Sequence, residues 1–337
     1  MNDIFSRLPE LLLPWYDENR RELPWRQDRE PYHVWLSEIM LQQTRVEAVK
    51  GYYTKFLEAL PTVADLANAS EETLNKLWEG LGYYTRVRNL QKAAKQIMEI
   101  HGGRFPTSYN EIRALAGIGD YTAGAVCSIC FDLPTPAVDG NVLRVCTRLT
   151  ADPSPIDKPV VKKALTEALA AVYPTKSGTF TQALMELGAT VCVPNGTPKC
   201  ERCPLREICL AHKQGDETDF PVKSKKKPRK IREMTVLLLH DGERFALRKR
   251  PKTGLLAGLW EFRHLDGRRT VEEVLEQLEA QGLPVLEVEK TVEKTHIFTH
   301  IEWHMTGIFL TCRQGGDYTW GDPSDYALPT AFRIFLE

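Results

Sequence analysis

Four cysteines within one short segment restrict the fold of this chain more than any other feature. They lie within 18 residues, in VCVPNGTPKCERCPLREIC, and they are half of the chain's eight cysteines: Cys192, Cys200, Cys203 and Cys209. Four thiolates so close together, in a segment interrupted by Pro and Gly, can surround one tetrahedral metal ion or one iron–sulfur cluster. All-cysteine zinc sites usually have two Cys-x-x-Cys pairs and this segment has one. An iron–sulfur cluster with a structural role is therefore favoured over zinc or free thiols.

The composition is that of an ordinary globular protein. Of 337 residues, 42% are hydrophobic and 26% are charged, and at about 150 residues per domain the length predicts two domains. Lys and Arg total 44 against 45 Asp and Glu, so any affinity for nucleic acid must come from local patches. No apolar run approaches the ~18 residues of a membrane span, and the start of the chain lacks a secretory signal pattern. We therefore expect no membrane association and an intracellular location, in a bacterial-like cytoplasm or nucleoid.

The chain changes character near residue 213. Before it, apolar residues recur three and four apart between Gly and Pro, which is typical of helices, and Thr62 and Ser70 stand where helices would start. The segment 223–232, KSKKKPRKIR, holds seven basic residues and no acidic one, as in a linker. Beyond it come β-type runs (MTVLLLH, RFALRKR, HIFTHIEWHMTGIFLTC) and one helical run, TVEEVLEQLEAQG. A helical region followed by a small α+β domain is predicted.

A second motif lies in residues 108–130, SYNEIRALAGIGDYTAGAVCSIC, which predict a helix, a tight turn and another helix. Gly117 and Gly119 fall in the turn, where small residues let backbone N–H groups approach a phosphate. By itself the motif is more typical of an ordinary helix–helix turn than of a phosphate-binding one. About twenty residues downstream of it, Asp139 stands in PAVDGNVLRV.

Taken together, these segments resemble the helix-hairpin-helix DNA glycosylases that carry an iron–sulfur cluster, and within them the adenine-specific branch. The resemblance covers nearly the whole chain. It is carried by LPWR at 23–26, SEIMLQQTRV at 37–46, GLGYYTRVRNL at 80–90, LAGIGDYTAGAV at 115–126, VDGNVLRV at 138–145, the four cysteines, and HIFTH at 296–300. One departure is the spacing between the first two cysteines, which is one residue longer than the commonest in the family.

The resemblance implies a mainly α-helical glycosylase fold, a six-helix barrel with the helix-hairpin-helix plus an iron–sulfur cluster domain, followed by a C-terminal α+β Nudix-like domain. The implied domains are an iron–sulfur cluster domain at 1–28 and 136–213, a six-helix barrel at 29–135, a basic linker at 214–232, and a Nudix-like 8-oxoguanine recognition domain at 233–337. The cofactor it implies is one 4Fe–4S cluster on the four cysteines.

Two carboxyl groups are the candidates for the chemistry. Cleaving an N-glycosidic bond needs a proton for the departing base and negative charge beneath the sugar, which two carboxyls in opposite protonation states supply. On a helix Glu38 would have mostly apolar neighbours: Val34, Trp35, Leu41 and Gln42. Such surroundings raise a carboxyl pKa, although the local sequence also fits a surface glutamate. Asp139 fits a helix cap, whose amide groups would favour its ionised form.

The resemblance implies excision of adenine opposite 8-oxoguanine or guanine, with Glu38 protonating the adenine ring. Asp139 then stabilises the sugar cation or bonds to it transiently, and Tyr121 and Asn141 organise its surroundings. Relatives that also nick the strand have a Lys where this chain has Tyr121, so a monofunctional enzyme is expected. The residues implied to contact adenine or DNA are Trp25, Arg26, Gln42, Gln43, Thr44, Tyr83, Arg86, Gly117, Gly119 and Gln182, with Gln43 and Tyr83 as wedges.

The segment GLLAGLWEF at 254–262 resembles a Nudix domain. A working Nudix hydrolase holds Mg²⁺ on an R-E-x-x-E-E helix, and TVEEVLEQLEAQG lacks that order, so no Mg²⁺-dependent catalysis is expected. The resemblance instead implies that Phe298, Thr299 and His300 read 8-oxoguanine, by wedging and hydrogen bonding, although the family usually has Ser at the middle position.

The expected partner is double-stranded DNA, with adenine opposite 8-oxoguanine, bound by a monomer. A sliding clamp or downstream repair enzymes are candidate partners, and the basic linker is either a phosphate contact or a solvated tether. Three other functions stay open: a pyrimidine glycosylase and lyase, a non-catalytic DNA-binding protein with a zinc site, and a nucleotide pyrophosphatase.

Overall fold

The structure is a computed structural model, and it describes residues 2–225, 228–283 and 285–337. Two compact units are present: Met1–Ala69 with Arg88–Lys225, and Ser70–Val87 with Lys226–Glu337. The four-part division expected from the sequence is finer than this and stays a prediction. Among the described residues, no helix has both the length and the apolar character that crossing a membrane requires.

The helices are, in chain order, α1 Asn2–Ser6, α2 Leu8–Asn19, α3 Pro31–Met40, α4 Val46–Ala59, α5 Val63–Asn68, α6 Glu71–Leu77, α7 Thr85–Ile100, α8 Tyr109–Ala114, α9 Asp120–Phe131, α10 Gly140–Thr150, α11 Pro159–Ala170, α12 Ser177–Thr190, α13 Leu210–Gln214, α14 Val271–Ala280 and α15 Thr330–Arg333. Helices α8 and α9 are the pair predicted around the glycine turn. The predicted starts are also present, because Thr62 Oγ1 accepts from Asp65 N and Ser70 Oγ from Thr73 N.

Residues 33–60 have apolar residues three and four apart along their whole length, but they do not form one helix. Helix α3 ends at Met40 and α4 begins at Val46. Between them Gln43 has φ +60°, in the left-handed region that L-residues rarely adopt and that a continuous α-helix does not contain. The break therefore places a strained residue at the position where the sequence predicts a wedge into DNA.

In the first unit, one hydrophobic core joins the start of the chain to segments more than a hundred residues away. Phe5 and Leu12 pack with Val142 of α10 and with Phe180 and Leu187 of α12, all of them buried. Cys192, Cys203 and Cys209 lie against the same core. The start of the chain therefore shares its core with α10, α12 and the segment that carries the cysteines.

The second unit contains a six-stranded sheet of order β4-β5-β1-β3-β2-β6. Its strands are β1 Lys230–His240, β2 Phe245–Lys249, β3 Trp260–Asp266, β4 Val285–Ile297, β5 Ile301–Cys312 and β6 Thr319–Gly321. Strands β1 and β5 are parallel, and the other pairs are antiparallel. Strand β1 begins inside the predicted linker, at Lys230, because this end of the linker pairs with Ile301 of β5.

The middle of the sheet is buried on both faces, and the residues of β1 alternate between them. Val236 and Leu238 belong to one core, with Phe332 of α15, while Leu237 and Leu239 belong to the other, with Leu278 of α14. This period of two is what an extended strand requires. The structure thus contains the predicted α+β domain, with α14 on the helical run found in the sequence.

Candidate active site

A cavity of about 950 Å³ in the first unit brings together most of the predicted catalytic and adenine-binding residues. Both candidate carboxyls, Glu38 of α3 and Asp139 before α10, line it, although they are about a hundred residues apart in the chain. The other predicted residues on its wall are Trp25, Arg26, Gln42, Gln43, Thr44, Gly117, Gly119, Tyr121, Asn141 and Gln182. The cavity therefore unites the segments 23–26, 37–46, 115–126 and 138–145 on one surface.

Glu38 lies in the interior of the unit and makes a short hydrogen bond. It is only 6% exposed, on the face of α3 whose neighbours Val34 and Trp35 are also buried. The hydroxyl of Tyr121 donates to Glu38 Oε2 at 2.5 Å. Burial raises the pKa of Glu38 to about 7, against the opposing effect of the Tyr121 hydrogen bond. The helical neighbours thus supply the apolar surroundings expected from the sequence.

Asp139 is the N-cap of α10 and accepts two hydrogen bonds, one on each oxygen. The backbone N–H of Val142 donates to Oδ1 at 2.8 Å, and the side-chain amide of Asn141 donates to Oδ2 at 2.7 Å. Burial raises the pKa of Asp139, and these two donors oppose the rise. Both donors favour the ionised carboxylate over the neutral acid. The predicted helix cap is present. Burial nevertheless has the larger effect on the pKa of Asp139, and the sequence did not indicate this burial.

Asn141 is itself held in place by Arg144 of α10. The Arg144 guanidinium donates to Asn141 Oδ1 at 2.8 Å and to the carbonyls of Gly188 and Cys192, also at 2.8 Å. The amide group that faces Asp139 therefore has a fixed orientation, which connects the carboxylate to the segment that carries the cysteines.

A buried ion cluster on one wall of the cavity was missed from the sequence. Glu186 of α12 is fully buried and pairs with Arg26, whose guanidinium donates to Oε2 at 2.8 Å. Arg21 donates to both oxygens of the same carboxylate, at 2.6 and 3.0 Å. These two arginines hold the pKa of Glu186 below its usual range, although burial acts in the opposite direction. Only one feature of the sequence pointed to Glu186 as a residue of this site. It lies four residues after Gln182 on α12, and residues i and i+4 share a helix face.

Gly117 and Gly119 both line the cavity, at the turn between α8 and α9. Gly117 has φ +74°, and a Cβ atom there would lie 2.5 Å from Cβ of Asn89. Gly119 is the N-cap of α9, with extended backbone and no side chain over the first turn. The N-terminus of α9, where the first backbone N–H groups are free of helix partners, therefore has room for an anion.

The remaining residues predicted to contact DNA or its bases lie in the second unit. Tyr83 has φ +47° and is 51% exposed, and its hydroxyl forms a hydrogen bond with Oγ1 of Thr299. Arg86 is buried and donates to the carbonyls of Leu81 and Gly82 at 2.8 and 3.1 Å, so it braces the loop before α7. Its predicted contact with DNA stays a prediction.

Phe298, Thr299 and His300 form the turn between β4 and β5, rather than a continuous strand. Thr299 and His300 are exposed there. Phe298 is half-buried, with its ring centroid 4.8 Å from that of Trp303. The His300 imidazole is thus available to a ligand, while the aromatic ring packs against the sheet. The Thr299 hydroxyl is already hydrogen-bonded to that of Tyr83 and can form one further hydrogen bond.

Cys192, Cys200, Cys203 and Cys209 line one cavity of about 30 Å³ in the first unit. A guanidinium N–H of Arg148 lies 3.3 Å from Sγ of Cys192, so a positive charge faces the sulfurs. Four thiolates would carry four negative charges, and a neighbouring guanidinium offsets part of that charge. Cys200 Sγ also has His212 and Glu217 beside it, with ligand atoms of the three within 4.8 Å of one another. The donor set fits a cluster bound through sulfur.

Comparison with protein families gives two matches along the chain. Residues 36–171 match the HhH-GPD superfamily of base excision DNA repair proteins, and residues 234–337 match the NUDIX domain. The first range contains Glu38, Tyr121 and Asp139. The second covers the sheet of the second unit.

Individual proteins of known name are also similar to this chain. The adenine DNA glycosylase of Rattus norvegicus is 36% identical, over 86% of this chain and 68% of that protein. That of Buchnera aphidicola subsp. Schizaphis graminum is 32% identical, over 89% of this chain and 86% of that protein. The Arabidopsis thaliana adenine DNA glycosylase is 42% identical, and the match spans 46% of its length.

Solved structures of DNA glycosylases resemble the helical part. A thermostable thymine-DNA glycosylase is 28% identical with a TM-score of 0.58, over 63% of this chain and 98% of that one. Endonuclease III in a trapped covalent complex with DNA is 25% identical with a TM-score of 0.52, over 62% of this chain and 94% of that one.

Proposed function

The chain belongs to the adenine DNA glycosylases, the MutY enzymes of base excision repair, and on that premise we propose that it excises adenine opposite 8-oxoguanine or guanine in duplex DNA. The observation that carries the proposal is the pairing of Glu38 and Asp139 on one cavity with different hydrogen-bond partners. An adenine must leave the base stack to reach such a site, at a cost of a few kcal/mol.

Glu38 acts as the general acid. With a pKa of about 7, a large share of this carboxyl is protonated near neutral pH, whereas a carboxyl with an ordinary pKa would be ionised. Tyr121 donates to Oε2, so Oε1 is the atom that carries the proton to the adenine ring. Burial raises the pKa of Tyr121 far above its usual value, which keeps the phenol protonated and donating.

Asp139 supplies the negative charge beneath the sugar. Donors on both of its oxygens favour the ionised form and fix the carboxylate in one orientation. A preorganised charge of this kind stabilises the oxocarbenium ion that forms as the glycosidic bond breaks. It can also bond transiently to the anomeric carbon before water replaces it.

The enzyme is monofunctional, so it leaves an abasic site without cleaving the strand. Strand-nicking relatives use a Lys at the position of Tyr121 to attack the sugar. Here the Tyr121 hydroxyl is committed to Glu38 and its high pKa makes it a poor nucleophile.

The second unit reads the base opposite the adenine. Thr299 and His300 offer an exposed hydroxyl and imidazole at the turn between β4 and β5, which suit the polar edge of 8-oxoguanine. Tyr83 is the wedge that fills space in the opened duplex, as Gln43 does in the first unit. Helix α14 lacks the R-E-x-x-E-E order, so this Nudix-like domain recognises rather than hydrolyses.

The enzyme works inside the cell, as a monomer on DNA. One 4Fe–4S cluster bound by the four cysteines holds the segment 192–209 in place. Such a cluster is stable in a reducing compartment, where thiols stay unpaired. Purified protein should be brown and contain about four irons per chain. Cys203→Ser should lose most of the iron and the visible absorption, while Cys312→Ser, in the second unit, should keep both.

A glycosylase assay tests the activity. Adenine is placed opposite 8-oxoguanine, guanine or cytosine in otherwise identical duplexes, and single-turnover release is measured for the wild type and for Glu38→Gln. We expect release opposite 8-oxoguanine and guanine, and binding without release by the variant. Near-normal release by Glu38→Gln would exclude Glu38 as the acid. High-yield trapping of a DNA adduct by borohydride would instead indicate a lyase.

A further inference from the structure

The segment Ser70–Val87 is separated by about 140 residues from Lys226–Glu337, yet it belongs to the same compact unit. It contains α6 and the loop that presents Tyr83. The family resemblance implies instead that this segment is part of the six-helix barrel at 29–135. What attaches it to the sheet is a set of charged contacts on α6 and just after it.

Glu79, two residues after the end of α6, is the centre of that set. Its Oε1 accepts from the guanidinium of Arg333 in α15 and from the backbone N–H of Leu328, the latter at 3.2 Å. Its Oε2 accepts from Lys76 at 2.9 Å. Lys76 in turn donates to the carbonyl of Ser324. The Glu79 side chain is 17% exposed, so it is largely shielded from water and each of these bonds is stronger than at a free surface.

The loop that follows Glu79 has contacts of its own and ends on a second contact with the sheet. Trp78 Nε1 donates to the carbonyl of Gly82 at 3.1 Å, and the Arg86 guanidinium lies 5.3 Å from the Trp78 ring centroid. At the tip, the Tyr83 hydroxyl meets Thr299. The wedge and the proposed 8-oxoguanine reader are therefore in direct contact, and Glu79 fixes the base of the loop that brings them together.

We propose that Glu79 is a positioning residue for recognition of the base opposite adenine. Through Arg333, Leu328 and Lys76 it makes the Tyr83 loop part of the recognition domain, so Tyr83 and Thr299 approach the opposite base as one preformed surface. This proposal rests on the proposed function of Thr299. A preformed surface binds its target without the entropic cost of ordering a loop. Loss of this surface should therefore weaken recognition of the opposite base more than it slows cleavage of the glycosidic bond.

The test uses the full chain with its cluster, and the substitutions Glu79→Gln and Arg333→Gln. Each removes one charge from the pair; Glu79→Gln keeps the length of the side chain, whereas Arg333→Gln also shortens it. Glu72→Gln is the matched control, because Glu72 lies on the same helix and is 71% exposed. Its contact with Lys249 of β2, at 3.7 Å, is a surface ion pair and contributes little. Arg333→Lys, which keeps the positive charge, should restore part of any loss.

Two quantities are measured. The first is hydrogen exchange of amides 78–87 without DNA, which needs no activity and which we expect to speed up about tenfold in both Gln variants. The second is the ratio of single-turnover excision opposite 8-oxoguanine to that opposite guanine at subsaturating enzyme, expected to fall about tenfold. The saturating rate opposite guanine should stay within about twofold of the wild type, because the cavity of Glu38 is untouched.

Unchanged exchange and an unchanged ratio in Glu79→Gln would overturn the proposal. So would faster exchange with the ratio intact, or an equal loss on both duplexes at saturation, which a general folding defect would give. A wild type that excises adenine with no preference for 8-oxoguanine would refute the proposed function of Thr299, and with it the recognition role of Glu79. The exchange data would then distinguish a loop anchor from a residue with no local effect.

Discussion

The hydroxyl of Tyr121, on α9, donates to Oε2 of Glu38, on α3, at 2.5 Å. The two side chains have opposite effects on each other. Tyr121 lowers the pKa of Glu38, which burial raises to about 7, and the carboxyl raises the pKa of the phenol. The Glu38 carboxyl is thus held where it is partly protonated at neutral pH, and its other oxygen, Oε1, is the one that Tyr121 does not contact.

The first prediction concerns the pH dependence of excision. The active form has Glu38 protonated, so the single-turnover rate at subsaturating enzyme should fall as pH rises through about 7. The same rate should fall in acid as Asp139 becomes protonated, at a pH above the ordinary range of an aspartate, since burial raises its pKa. Rates measured from pH 4 to 9 on one duplex give both limbs. A rate that is flat from pH 6 to 8 would contradict the assignment of Glu38.

Tyr121→Phe tests the hydrogen bond directly. It removes a donor that lowers the pKa of Glu38, so the alkaline limb should move to higher pH. The maximal rate should drop, by about tenfold, because Glu38 loses the contact that orients it. Tyr109→Phe is the control, since Tyr109 neighbours Asp120 instead and should leave the profile unchanged. A shift of the limb toward lower pH would show that Tyr121 does not stabilise the charged carboxylate.

Glu186→Gln tests the buried ion cluster. It leaves Arg21 and Arg26 without their charged partner, and breaking a buried pair in this way costs about 3 kcal/mol of unfolding free energy. We expect a lower unfolding midpoint in urea and a slower saturating rate, because Arg26 faces the proposed adenine site. Glu167→Gln is the matched control on an exposed helical pair, Lys163–Glu167 at 3.8 Å, where the change should be below about 0.5 kcal/mol. Equal stability of the two variants would remove Glu186 from this role.

The sequence predicted the helix-turn-helix and the two-domain plan, since these follow from local periodicity and from the change in composition along the chain. The burial of Glu38 was not settled by its local sequence, which also fits a surface glutamate. The contacts that it could not predict join distant segments. Glu186 meets Arg21 across 165 residues and Glu79 meets Leu328 across 249. No local pattern in the sequence indicates either contact, because the residues around an acidic side chain are the same whether it faces solvent or a distant partner. The break between α3 and α4 at Gln43 was missed for a different reason. There the local pattern misleads, because the apolar residues keep helical spacing through the break.

The two glycines of the hairpin give a matched pair for the last prediction. A methyl group at Gly117 would lie 2.5 Å from Cβ of Asn89, at a φ of +74° that costs an L-residue about 1–2 kcal/mol. At Gly119 a Cβ meets nothing within 4 Å and the backbone is extended. Gly117→Ala should therefore lower the unfolding free energy by at least that amount and weaken DNA binding, because the turn before α9 must shift. Gly119→Ala should leave stability within about 0.5 kcal/mol. If Gly119→Ala still weakens binding of a non-cleavable duplex at unchanged stability, the loss comes from a methyl group between a phosphate and the first amides of α9, and the salt dependence of binding should then be shallower than in the wild type.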